Sequence, residues 1–393
     1  MSKFNISQKK VSDLQKRYEV KTNERELKNF LKSFAFLVLA LMSVYHFYAS
    51  GFGTIREILH RGIHISFVVG LVFIFYSWKK IDHSKKNFNT PFIDIILSIL
   101  VVISALYLPL LPPEVLAPRV GNPEDIDIIM GSFLIVLTLE AARRSIGFTL
   151  PFICVLFILF AIFGPYFPGA LKHGGASWVG FVNHIYLTNQ GIYGIAVGVM
   201  AQYVFLFILF GVLATRIGLG QLFIDLAMVI AGKYSGGPAK VAIFSSAFLG
   251  TISGSSIANT VTTGSLTIPA MKKVGYPPYF SGAVEATAST GGQITPPILG
   301  AAAFIMVEYL EVPLRDILAA ALIPALLHYF GIFIMVHLEA KKLGLRGLTD
   351  EEVPKFLSVV KDNWLSLAPL ILLVYLILIG RTPDYAAVIS IIA

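Results

Sequence analysis

Two polar, glycine-bearing stretches interrupt an otherwise apolar chain: GTISGSSIANTVTTG at 250–264 and STGGQITPP at 289–297. Both carry what a hard cation such as Na⁺ needs. Hydroxyl and amide oxygens are neutral ligands, and glycine lets the backbone turn, so that carbonyl oxygens are freed from helical hydrogen bonds. Non-helical backbone is tolerated in hydrocarbon only where it is buried in protein or lines a polar cavity. Broken helices also expose N-termini, whose partial positive charge attracts carboxylates. Small residues serve close helix packing too, and a lone Ser-x-Ser reads that way. Two dense clusters, each with Asn or Gln and bounded by Lys or by Pro–Pro, point instead to ion and solute binding at discontinuous helices, the pattern of a secondary transporter.

Other residues offer competing chemistries. Glu285 is a carboxylate inside the apolar 280–310 segment, a functional candidate by default unless it lies near enough to the interface to be solvated. Glu140 and Arg144, at i,i+4, read as a structural pair at a span end. His60 and His64 share that spacing, but a metal would need a third ligand. AGKYSGGPAK (231–240) lacks the order of a phosphate-binding loop, which disfavours an ATP-driven pump. Ser253 or Ser255 as a nucleophile with His328 as base would make an intramembrane hydrolase; no spacing supports that pairing, and a nucleophile leaves the second break unexplained. A passive channel is a further alternative, although breaks at hairpin tips favour occlusion over a continuous pore. Cys154 is the single cysteine, which excludes an intrachain disulfide and makes a poor metal site.

The elements that must position these groups are membrane helices. The 393 residues are 56% hydrophobic and only 14% charged, with a mean hydropathy of +0.75, whereas soluble domains carry about 25% charged residues. The net charge of +8 sits at span ends, as cytoplasmic loops require, rather than on a folded face that would bind nucleic acid. Residues 1–32 read as a basic cytoplasmic tail, with no short apolar core of a cleavable signal. Apolar segments follow at 33–53, 63–78, 91–111, 127–142, 149–167 and 192–215. The loop KKIDHSKK (79–86) is basic and belongs inside; PPEVLAPRVGNPEDID (112–127) is acidic and belongs outside. Residues 219–235 read as an interfacial helix. Lys240 and Lys272–Lys273 bracket a stretch too short for two crossings, so 240–273 reads as a re-entrant hairpin with the first polar patch at its tip. The segment 280–310 spans with a break, 316–338 and 364–380 span, and a last helix begins near 385. The expected fold is therefore all-α and polytopic, with about nine transmembrane helices plus the hairpin.

SGSSIANTVTTGSLTIPAMKKVGYPP followed by AVEATASTGGQITPPILGAAAFIM resembles the fused permease of the tripartite ATP-independent periplasmic (TRAP) transporters, and LEAARRSIGFTLP, FGPYFPG and VHLEAKKLGL match the same family. The resemblance is dense over 90–345. It implies a four-helix small part at 33–145 joined to a large permease part at 146–393, and elevator-type uptake of small carboxylates delivered by a periplasmic binding protein. Sodium would be the coupling ion, with no other cofactor and no enzymatic activity. The setting would be a bacterial or archaeal cytoplasmic membrane with the N-terminus inside. By the same resemblance Ser253, Gly254, Ser255, Ser256 and Asn259 form a sodium site, and Thr262, Thr263, Ser289, Thr290, Gly291, Gly292 and Gln293 lie at the solute. The family also has a second, inverted repeat with its own hairpin, of which this sequence carries no copy. The expectation is a C-terminally truncated permease holding the first half of the site. A non-transporting fragment or a membrane scaffold is the alternative.

Overall fold

The computed structural model describes residues 21–25, 27–53, 55–82 and 91–393. Most of the basic tail (1–20) and the end of the KKIDHSKK loop (83–86) lie outside the described residues. Among those described, five helices are long and apolar enough to cross a membrane: Phe30–Gly51, Glu57–Phe75, Phe92–Leu110, Ile195–Arg216 and Leu314–Lys342. The other apolar helices are shorter, such as the 14-residue Thr149–Ile162, or carry charges at both ends, such as Asp125–Ile146. Large apolar side chains face outward in numbers no aqueous surface would carry, including Phe36, Leu327, Phe330 and Met335. The chain is an all-α polytopic membrane protein with one small exception.

That exception is a two-stranded antiparallel ribbon. Lys21–Glu24 (β1) pairs with Tyr76–Asp82 (β2) in the register Thr22↔Ile81 and Glu24↔Tyr76, with an irregularity between Thr22 and Glu24. By composition these residues read as tail, span end and loop. Tyr76, Trp78 and Ile81 favour extended backbone, and pairing satisfies polar groups of two segments that leave the helices at the same end.

The described residues form two compact units, 21–201 and 202–393. In the first, α1 (Asn29–Gly51) is followed by α2 (Glu57–Phe75), α3 (Phe92–Leu110), α4 (Asp125–Ile146) and α5 (Thr149–Ile162), and α2 to α5 surround a core of Ile65, Leu108, Leu134, Val182, Tyr186 and Tyr193. Small residues let α2 and α3 approach closely: a Cβ on Gly62 would lie 2.8 Å from the Ala105 carbonyl oxygen. The pair Glu140–Arg144 forms at 2.7 Å, within a larger network. Arg144 also reaches buried Asp94 at 2.8 Å, and Arg25, beside the ribbon, donates to the same carboxylate.

In the second unit, α6 (Phe205–Arg216) and α7 (Leu219–Ala231) precede the hairpin helices α8 (Gly237–Ser253) and α9 (Ser256–Val274). Next come α10 (Pro278–Thr290), a 3₁₀ turn (Gly291–Ile294), α11 (Ala301–Leu310), the 29-residue α12 (Leu314–Lys342), α13 (Ala368–Leu378) and α14 (Pro383–Ile392). The core joins α8, α10 and α12 through Ala239, Ala242, Ile243, Val284, Ala288, Ile332 and Val336. The segment expected at the interface, 219–235, is the 13-residue α7, which buries Leu222, Phe223 and Ala227.

Candidate functional site

The hairpin is built from local chemistry. Pro238 sits in the first turn of α8, where its missing N–H is harmless. Gly254 ends the helix with φ +56°, and a Cβ there would run into the Leu299 carbonyl oxygen; only glycine fits both constraints. Ser255 then caps α9, its hydroxyl accepting from the Ala258 N–H at 3.3 Å. The turn between two apolar arms is thus one glycine and one capping serine.

The second break meets the first. The 280–310 segment divides as expected into α10, the Gly291–Ile294 turn and α11. Gly250 of α8 packs on Gly292 so closely that a Cβ on Gly250 would lie 2.6 Å from the Gly292 Cα. The turn-like return from the 3₁₀ segment is held by the Gly300 N–H on the Gln293 carbonyl (2.7 Å) and by Thr295, whose hydroxyl donates to the Gly291 carbonyl (2.6 Å) and touches the Tyr329 hydroxyl (3.0 Å).

The residues that the resemblance assigns to sodium and solute fall into distinct places. Ser253, Ser255, Asn259 and Thr262 line one cavity of about 330 Å³ together with Thr215 and Arg216. Asn259 is buried; its amide nitrogen donates to the Ser246 carbonyl at 2.9 Å, while its Oδ1 has no hydrogen-bond donor among the described residues. A buried oxygen without a donor suits a cation ligand. Gly254 forms the turn beside this cavity, and the Ser256 carbonyl accepts from Thr260 (2.8 Å). Thr263 and Ser289 point away from it, to the fully buried Glu285, which Thr267 and Ser246 also reach. Thr290 is exposed and donates to the Ala286 carbonyl, Gly291 packs against His328, Gly292 against Gly250, and the Gln293 side chain is exposed.

Arg216 is the residue that sequence reasoning missed. It reads as an ordinary basic flank at a span end, and only the packing of α6 beside the hairpin makes it line the same cavity as the tip residues. Competing chemistries gain no support. Ser255 is occupied as a cap, and His328 Nε2 lies 3.1 Å from the Thr287 carbonyl. A third histidine does join His60 and His64, but His46 and His64 bond to each other at 2.9 Å, and His60 Nδ1 lies 3.0 Å from the Tyr45 hydroxyl. Among the described residues no group of three or more His, Cys, Asp or Glu is arranged to hold a metal.

Comparison with known proteins now bears on this arrangement. The chain is similar to the isethionate TRAP transporter permease protein DctMQ of Oleidesulfovibrio alaskensis, at 31% identity over 174 residues, which is 42% of this chain and 26% of that protein. It is 28% identical over 188 residues to the C4-dicarboxylate TRAP transporter large permease protein DctM of Pseudomonas aeruginosa, covering 47% of this chain and 43% of the relative. The sialic acid TRAP transporter large permease protein SiaM of Vibrio cholerae matches at 26% over 185 residues, with the same two coverages, 47% and 43%. In all three, the matched stretch spans less than half of the relative's own length. Residues 133–393, which contain both breaks, match the model of the tripartite ATP-independent periplasmic transporter, DctM component. The match covers well over half of the sequence, and the chain belongs to that family of transporter components.

Proposed function

We propose that this chain is a membrane permease of a secondary transporter that imports small organic acids with sodium, the solute being delivered by an extracytoplasmic binding protein. The observation that carries the reading is the cavity at the hairpin tip, which Asn259 and Arg216 both line, together with the buried Asn259 Oδ1 that has no hydrogen-bond donor among the described residues. On this reading Asn259 Oδ1, the oxygens of Ser253, Ser255 and Ser256 and carbonyls around Gly254 serve sodium. Arg216, Thr262 and the N-terminal end of α9 serve the solute's acidic group. The relatives are named for isethionate, C4-dicarboxylates and sialic acid, solutes that share such a group. Residues 33–145 act as the small part and 146–393 as the large one, and the basic tail faces the cytoplasm of a bacterial or archaeal cell.

Sodium coupling is energetically adequate: one charge moving down ~100 mV supplies about 2.3 kcal/mol, or roughly 50-fold accumulation of a neutral-equivalent load. An anionic solute therefore calls for more than one Na⁺. The hairpin, interlocked with the second break through Gly250 and Gly292, travels with it as one body in an elevator-type movement.

The test is uptake of labelled small carboxylates into proteoliposomes, with an inward sodium gradient and the binding protein outside. Uptake requires both. An unchanged rate without sodium would remove the coupling. Asn259→Ala raises the sodium concentration for half-maximal uptake by about tenfold, the equivalent of one lost ligand, with little change in solute affinity at saturating sodium. Arg216→Gln does the reverse, raising the solute KM roughly 10- to 100-fold through loss of one charge-assisted contact. Equal sodium dependence of wild type and Asn259→Ala would assign the polar tip to packing.

A further inference from the structure

Glu285 is fully buried in α10, which packs against both arms of the hairpin. Hydroxyls from three helices surround its carboxyl group. Oε1 meets Ser246 of α8 (3.5 Å), Ser289 of α10 (3.2 Å) and Thr263 of α9, while Oε2 meets Thr267 of α9.

The charged and titratable groups on the surrounding elements do not reach it. Lys240 of α8 lies 3.0 Å from His337 Nδ1 of α12. At the end of α9, Lys272 is exposed and Lys273 pairs with Glu352 at 3.0 Å. On α12, His328 meets the Thr287 carbonyl, Tyr329 meets Thr295, and Glu339 lies at the far end beside Lys342. Among the described residues no cation pairs with Glu285.

An ionised carboxylate in such a place has no counter-charge to offset its desolvation. A carboxylic acid does not need one. With a proton on Oε2 the hydrogen bonds close head to tail: Oε2–H donates to the Thr267 hydroxyl, which donates to the Thr263 carbonyl at 3.0 Å, while Oε1 accepts from Ser289 and Thr263. Both threonine hydroxyls hydrogen-bond the carboxyl group directly. Thr267 also lines a mainly apolar cavity of about 350 Å³, together with Gln221, Met228 and Glu352.

We propose that Glu285 is a proton-binding site: in the packed hairpin it is a neutral carboxylic acid that fastens α8 and α9 to α10, and loss of its proton loosens the hairpin. Docking is therefore at full strength while the acid is protonated and weakens as pH rises through its titration. This goes beyond the sodium–solute reading and does not depend on it.

The test uses the whole chain in lipid nanodiscs, with no solute or binding protein, so it is independent of transport. Infrared spectroscopy of the wild type shows a carboxylic-acid C=O band at neutral pH. Glu285→Gln lacks the band, Thr267→Val shifts it to higher frequency by removing a hydrogen-bond partner, and added Na⁺ leaves it in place. The frequency shift identifies the band even if Glu285→Gln does not fold. At about pH 9 backbone hydrogen exchange across 246–263 is about tenfold faster in the wild type than in Glu285→Gln, whose amide stays neutral. A spectrum unchanged in both variants overturns the proposal, as does a band abolished by Na⁺ at constant pH, which would make this a sodium site. Equal exchange in wild type and Glu285→Gln at every pH overturns the fastening role.

Discussion

Replacing Asp94 with alanine is expected to destabilise the 21–201 unit by about 3–5 kcal/mol, the range for removing one partner of a buried ion pair. Asp94 is almost fully buried and accepts from two arginines, Arg25 and Arg144, which are buried as well. Without it Arg144 retains Glu140 at 2.7 Å and its place over the Phe73 ring at 4.7 Å. Arg25 retains only weaker help, a 3.3 Å bond to the Phe73 carbonyl. The loss falls on the junction between the ribbon, α3 and α4. Thermal unfolding of the purified chain reads it as a fall in Tm of several degrees, larger than that of Glu140→Ala, whose carboxylate is partly exposed. Combining Asp94→Ala with Arg25→Ala should recover part of the loss, because one of the unpaired cations is gone. A Tm within about 1 °C of wild type for Asp94→Ala would show that the arginines find other partners.

Gly250→Val is the second large effect. A Cβ at this position would lie 2.6 Å from the Gly292 Cα, and the contact is backbone against backbone, so no side chain can swing aside. Valine forces the hairpin off the second break, and overpacking of this kind costs about 1–3 kcal/mol. The consequence for uptake is larger than for stability. The tip cavity and the 291–300 turn lose their mutual register, and uptake in the proteoliposome assay is expected to fall to background while the chain still inserts and folds. Gly282→Ala is the control: a Cβ there meets nothing within 4 Å, and α10 gains about 0.5–1 kcal/mol from the better helix former. Full uptake by Gly250→Val would mean that the two breaks need not touch in the transport cycle.

What is local was legible in the residues. Composition and span length set the all-α membrane class, and the glycine-bearing polar patch at 250–264 marked the hairpin tip, within which the structure places the turn at 254–255. The break in 280–310 and the Glu140–Arg144 pair follow from chemistry within a few residues of each position. The ribbon escaped because strand pairing between 21–24 and 76–82 joins segments with a whole hairpin of helices between them, and neither strand has a long alternating pattern.

The site needed the tertiary structure for the same reason. By itself the sequence determined that two polar, oxygen-rich breaks lie in an apolar chain. Only the packing decided that Gly250 lies on Gly292, that Arg216 joins the tip, and that Thr263 and Ser289 turn to Glu285 rather than to the tip cavity. Turn chemistry acts over a few bonds and leaves its mark in adjacent residues. Which helix faces lie together depends on the fit of small and large side chains across tens of residues, and that is settled when the helices pack.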